Sequence, residues 1–384
     1  MAKHVAVIGA GAFGGWTALW LRRKGAQVTL LDAWGPGNSR ASSGDETRVI
    51  RAVYGSDRIY VDQVARSLPI WKESGERWGQ KLYHPTGLLW MYSAPDHYVR
   101  SSMPLLAEYG LSVTELTLSE AQRRFPLVDF QGVQTVFFEE QVGYLLARRS
   151  CQLVAAAFVA EGGEYRQVGV RPGPVSGGGM ERLDLSDGTT LSADAYVFAC
   201  GPWLGRVFPD ELGHGGIFAT RQEVFYFGTP AGDTRYLEGN FPIWMDMTDE
   251  NSFYGIPGNE SRGFKVANDV HGEPFDPTNG DRTPSPTALA KARAQLARRF
   301  PGLKDAPVAE SRVCQYENSA DGQLLFDRHP GAANTWFLGG GSGHGFKLGP
   351  ALGQDVAETV LDGGKPPELF SLSPGRVQRM GRSD

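Results

Sequence analysis

The hydrophobic pattern of the first 32 residues alternates between two periods. Val5 to Ile8 is a continuous apolar run, Gly9 to Gly14 breaks it, and an apolar-periodic stretch continues to Lys24-Gly25. A second apolar run, Val28 to Leu31, closes on Asp32. This predicts a strand, a glycine turn, a helix and a second strand with an acid at its end. Further on, a helical pattern covers about 60–80, with Val64, Leu68, Ile70 and Trp71 apolar, and Gly87–Tyr92 is strand-like. Residues 115–125 predict a helix start capped by Ser119. A buried helix is expected over 146–161, followed by a short strand from Glu164 to Val170 and a glycine-rich hairpin region at 173–190. Asp194–Trp203 reads as a buried parallel strand ending on the Gly201 turn. Aromatic strands carry Phe225, Phe227, Trp244 and Tyr254, which suit either a ligand pocket or a sheet core. His271–Pro286 is a Pro/Gly/Asp-rich loop, and a helix follows at 287–300. From 308 the chain is expected to return to α/β character, with a glycine turn at 339–345 and a helix near 350–362.

These elements assemble as an α/β plus β-rich fold. A discontinuous Rossmann-like domain (1–80, 145–218 and 320–384) interleaves with a mixed-sheet substrate domain (81–144 and 219–319). A chain of 384 residues accommodates two domains. A net charge of −5 gives no basic field for nucleic acid. No run is long enough to span a membrane, and the apolar N-terminus is occupied by the glycine turn rather than a signal peptide. The three cysteines, Cys151, Cys200 and Cys314, make neither a disulfide framework nor a metal site, so a reducing cytoplasm is expected and no metal.

Gly9, Gly11 and Gly14 have the spacing of a dinucleotide fingerprint. Gly9 permits the sharp turn, Gly11 lets backbone approach a pyrophosphate, and Gly14 allows tight helix packing. The helix N-terminus points free N–H groups at the phosphates. Asp32, 18 residues beyond Gly14, is placed to accept from ribose hydroxyls. A second glycine turn (339, 340, 341 and 343) precedes His344 and Lys347, and suits an anionic or electron-rich group. The segment Arg40–Arg51 reads as a loop against phosphates or a polar ring system. The fingerprint alone leaves an NAD-linked dehydrogenase and a non-catalytic cofactor-binding subunit open.

Taken together, the N-terminal fingerprint, Gly44–Arg51, Gly263-Phe-Lys265, Cys314-Gln-Tyr316 with Asp321 and Asp327, and Ser342–Lys347 resemble the monomeric sarcosine oxidase group of the D-amino acid oxidase-like flavoproteins. Its N-methyltryptophan, pipecolate and fructosyl-amino-acid oxidase relatives are similar. The resemblance implies FAD-dependent oxidation of the C–N bond of a small secondary amine, or an N-methyl or cyclic amino acid, to an imine that water hydrolyses, with O2 as acceptor giving H2O2. A flavin dehydrogenase with a non-oxygen acceptor would share the fold. FAD is implied at Gly9, Gly11, Phe13, Gly14, Asp32, Ser43, Arg48, Val168, Cys200, Gly201, Trp203, Gly341, Gly343, Gly345 and Lys347. Cys314 resembles the cysteine that forms a thioether to the flavin 8α-methyl, whereas Cys151 and Cys200 match no attachment motif. Arg51 and Lys347 resemble the pair that clamps the substrate carboxylate, and Lys265 the lysine that activates O2. His344 and Tyr254 match positions around the pocket. Partners are a small amine or imino acid and O2, and the protein is expected to be a monomer. Two departures bear on substrate identity: Asp269 stands where sarcosine oxidases show histidine, and Glu317-Asn318-Ser319 replaces the commoner threonine-containing sequence.

Overall fold

The computed structural model describes residues 2–213, 216–250 and 252–372. The strand His4–Ile8 pairs in parallel with Gln27–Asp32 on one side and Ala195–Phe198 on the other. Both of its faces are covered, which is why Val5, Ala6 and Val7 are wholly buried and why the sequence does not alternate there. The complete sheet has six strands in the order Leu325–His329, Ala332–Gly339, Ala195–Phe198, His4–Ile8, Gln27–Asp32, Glu164–Gln167. The helix Ala12–Arg23 packs on Gly349–Asp362 and Ala147–Ala160. Its approach to Gly349–Asp362 is close: a Cβ on Gly353 would lie 2.8 Å from the backbone of Trp16 and Thr17.

A second sheet has eight strands in the order Val308–Ser319, Ile217–Phe227, Phe264–Asn268, Phe253–Ile256, Ile243–Met247, Leu88–Tyr92, Thr135–Glu139, Val113–Leu116. Strand period two divides its side chains cleanly. Phe225, Phe227, Trp244, Phe264 and Val266 face one core with Leu296 and Phe300 of the helix Pro286–Arg299 and its end. Val224, Tyr226, Met245, Tyr254 and Ala267 face the core shared with the first sheet. Of the four aromatics that suited a pocket, Phe225, Phe227 and Trp244 are therefore sheet core, and Tyr254 alone is on the ligand side. A small sheet, Thr47–Ile50, Gly143–Leu146 and Tyr83–His84, carries Arg48.

Four sequence expectations are corrected. The segment Arg40–Arg51, expected as a loop, holds the strand Thr47–Ile50, which pairs antiparallel with Gly143–Leu146. Val308–Ser319 does not return to the α/β sheet: it pairs antiparallel with Ile217–Phe227 in the second sheet, and the return comes at Leu325. The helix at 118–124 is capped by Thr117, not Ser119, because Thr117 and Glu120 form a reciprocal capping box. The strand expected over 164–170 is two strands, Glu164–Gln167 and Val170–Pro172, which belong to different sheets.

Candidate active site

The turn after the first strand is held from both sides. Gly9 N–H donates to the Leu31 carbonyl at 2.7 Å, and Ala10 N–H donates to Asp32 Oδ2 at 2.8 Å. Gly9 sits at a φ of +107°, and a Cβ there would lie 2.2 Å from the Ala199 carbonyl oxygen. Only glycine fits. Gly14 is equally constrained, since a Cβ would meet the Gly9 carbonyl oxygen at 1.9 Å. The following helix has Gly11 at its N-cap and no side-chain cap. Its first N–H groups therefore remain available to an anion.

This turn opens on a cavity of about 400 Å3. Gly9, Gly11, Phe13, Asp32, Ser43, Arg48, Val168, Cys200, Gly201, Trp203, Gly341, Gly343 and Gly345 line it. Gly14, Cys314 and Lys347 do not. Asp32 keeps its place at the wall, but backbone donors already occupy both of its oxygens, with Trp34 and Gly35 N–H on Oδ1. Burial raises its pKa while those N–H groups pull it down. Cys314 is buried behind the wall, its Sγ 3.2 Å from Arg48 Nη2 and 3.9 Å from the Ser42 carbonyl. The fit to FAD rests on three features: a Cβ-free cradle, an uncapped helix start and an acid at the second strand's end.

A second cavity, about 120 Å3, shares Arg48, Tyr316, Gly343 and Phe346 with the first. Arg51, Lys347, His344, Tyr254 and Asp269 complete most of its lining. Arg51 and Lys347 thus line one cavity, and the Tyr54 ring adjoins both. The Tyr54 ring has the Arg51 guanidinium 4.6 Å from its centroid and Lys347 Nζ at 5.0 Å. Lys347 donates to the His344 carbonyl at 2.7 Å. Burial and the nearby Arg51 charge push its pKa well below that of an ordinary lysine. His344 Nε2 must donate to the Gly322 carbonyl at 3.1 Å, which leaves Nδ1 to accept from Tyr54 O–H at 3.1 Å. Burial and the Lys347 charge lower the His344 pKa to about 3, so the ring is neutral at pH 7.

Lys265 lines neither cavity. It is wholly buried, and Nζ donates to Asp45 Oδ2 at 2.5 Å and to the Thr47 carbonyl at 3.1 Å. Asp45 also accepts from Arg48 at 2.8 Å and from Tyr226 O–H at 2.9 Å. Its carboxylate is held far below the usual range, because the Lys265 and Arg48 charges outweigh burial. Sequence reasoning missed Asp45, Tyr54, Trp34 and Glu139. Trp34 pairs with Trp203 at the cavity wall, ring centroids 4.8 Å apart. Glu139 accepts from Ala52 N–H and Trp90 Nε1 beside Arg51. Asp45 lies inside the segment Gly44–Arg51, and the other three carry no spacing signal.

The dinucleotide cradle, with a smaller cavity lined by Arg51 and Lys347 adjoining it, defines a dinucleotide-dependent enzyme. Residues 4–359 match the model of the FAD dependent oxidoreductase family, and the chain belongs to that family. It is 26% identical over 383 residues to monomeric sarcosine oxidase of Bacillus sp. (strain B-0618), covering 98% of this chain and 97% of that one. It is 26% identical to N-methyl-L-tryptophan oxidase of Salmonella heidelberg, covering 99% of each chain. The solved structure of L-proline dehydrogenase from P. horikoshii shares the fold, with a TM-score of 0.83 and 19% identity over 98% of both chains. No helix among the described residues is long and apolar enough to cross a membrane.

Proposed function

We propose that the protein oxidises the C–N bond of a small secondary amine, an N-methyl amino acid or a cyclic amino acid, with O2 as acceptor and H2O2 as product. The observation that carries this is the shared wall: Arg51 and Lys347 face a small cavity that adjoins the cofactor cavity through Arg48, Tyr316, Gly343 and Phe346. When bound, FAD supplies the two-electron acceptor for that bond. Arg51 and Lys347 hold the substrate carboxylate and so fix the C–N bond against the cofactor cavity. A bound carboxylate also returns to Lys347 the anion that its buried ammonium form lacks. Tyr254 and neutral His344 shape the pocket and keep it dry. Val168, Cys200, Gly201 and Trp203 form the cofactor wall, and Cys314 is the attachment point for the flavin. The relatives named above are oxidases of sarcosine and N-methyl-L-tryptophan, and both names fit a carboxylate site beside an amine. The enzyme works as a monomer in the cytoplasm, with residues 1–80, 145–218 and 320–384 as its cofactor domain.

One observation favours a second reading. Lys265, the expected O2-activating cation, is sealed by Asp45 and touches neither cavity. A dehydrogenase that passes electrons to a non-oxygen acceptor fits that arrangement. A screen of N-methyl and cyclic amino acids separates the two. Peroxide formed in step with amine consumed supports the oxidase. Amine consumed only with an artificial acceptor supports the dehydrogenase, and no bleaching of the yellow protein by any amine refutes both.

A further inference from the structure

The carboxylate-binding cavity also holds an acid. Asp269 follows the strand Phe264–Asn268, and its N–H donates to the Ser252 carbonyl at 2.7 Å, which fixes the backbone. Tyr316 O–H donates to Asp269 Oδ1 at 2.8 Å, which orients the side chain. Oδ2 has no hydrogen bond or ion pair among the described residues, and Asp269 lines the cavity. Arg51 and Lys347 line the same cavity without forming an ion pair with Asp269. The Asp269 charge nevertheless acts on both, favouring their protonated forms. Opposite charges therefore face one small space and leave it unbridged.

We propose that Asp269 anchors a positively charged substrate nitrogen, so that the pocket selects a small zwitterion over an uncharged-tail carboxylate. This rests on the carboxylate-site reading of Arg51 and Lys347. A carboxylate ligand without a cation would fill the pocket and desolvate Asp269, and an unpaired charge in a small cavity is costly. A ligand with an ammonium a few bonds from its carboxylate satisfies both ends. Tyr316 acts as a positioning residue: it occupies Oδ1 and leaves Oδ2 for the ligand. His271, exposed on the same loop, stands at the lining beside it.

The test uses two isosteric probes that differ only in charge, betaine and 3,3-dimethylbutanoate, titrated into the yellow holoenzyme. Binding is read from flavin absorbance and by calorimetry. Betaine has no nitrogen lone pair and is not consumed. The wild type should bind betaine more tightly by roughly tenfold or more. Asp269→Asn should lose that preference while retaining 3,3-dimethylbutanoate, and Asp269→Glu should restore part of it. Equal affinity for both probes in the wild type, or an unchanged preference in Asp269→Asn, overturns the role of Asp269 and leaves the carboxylate site standing. If neither these probes nor glycine and propionate bind, the carboxylate site falls with it.

Discussion

Lys265 Nζ lies 2.5 Å from Asp45 Oδ2, and neither side chain is more than 1% exposed. The two come from segments 220 residues apart in sequence. The pair is asymmetric. Asp45 keeps Arg48 and Tyr226 if Lys265 is removed, whereas Lys265 keeps only the oxygens of Thr47 if Asp45 is removed. Asp45→Asn should therefore destabilise the protein by about 3–5 kcal/mol, the usual cost of stranding a buried charge. Lys265→Met should cost distinctly less. Urea denaturation of the two single variants and the double variant measures this, and the reverse order of the singles would contradict the geometry.

Cys314 offers a direct test of attachment. Acid precipitation of the wild type should leave the yellow colour in the pellet, and Cys314→Ser should release it to the supernatant. Release from the wild type would show that the Sγ beside Arg48 is an ordinary buried thiol.

The two cations around Tyr54 should act on the same ligand. Arg51→Ala and Lys347→Met should each weaken 3,3-dimethylbutanoate binding, by roughly 100-fold for Arg51, since loss of a partner in a buried charge pair costs several kcal/mol. Equilibrium dialysis is sufficient to measure this. An unchanged affinity in Arg51→Ala would remove the clamp.

Glu317 carries a pH signature. It is buried beside Gly340 and Gly341, and burial raises its carboxyl from 4.5 to about 7 against the pull of their N–H groups. The folded state then holds a proton that the unfolded state has already lost. Stability from this group is fully present below about pH 4.5 and falls as pH rises to about 7, by up to roughly 3 kcal/mol. Glu317→Gln should flatten that part of the profile. Urea midpoints at pH 5 and pH 8 for both proteins give the slope, and identical slopes would show that Glu317 is not the group responsible.

Much of the fold is legible in the sequence because its strongest signals are local. The run Val5–Ile8 is apolar throughout because both faces are covered, and Gly9 is fixed by a turn that tolerates no other residue. The glycine turn at 339–345 likewise marks itself. What is not legible is pairing at long range. Nothing in the segment Gly44–Arg51 shows that Asp45 will meet Lys265, because that contact depends on how the Thr47–Ile50 strand lies over the second sheet. Tyr54 has the same problem: its place beside two cations requires residues 51, 54 and 347 to converge. Val308–Ser319 carries no local mark of which sheet it joins: it pairs with Ile217–Phe227, far upstream in sequence, while its neighbour Leu325–His329 joins the α/β sheet.

The strand Val308–Ser319 runs antiparallel to Ile217–Phe227 through an unbroken register from Ser319 back to Glu310. Cys314 and Tyr316 are two residues apart and share a face, while Glu317 lies on the other. A single-residue insertion upstream of Cys314 would turn all three over at once, exchanging thiol, phenol and acid between the two sides of the sheet. Replacement at a position such as 269, beyond a strand end, leaves this register intact, whereas slippage here would displace Cys314, Tyr316 and Glu317 in one step.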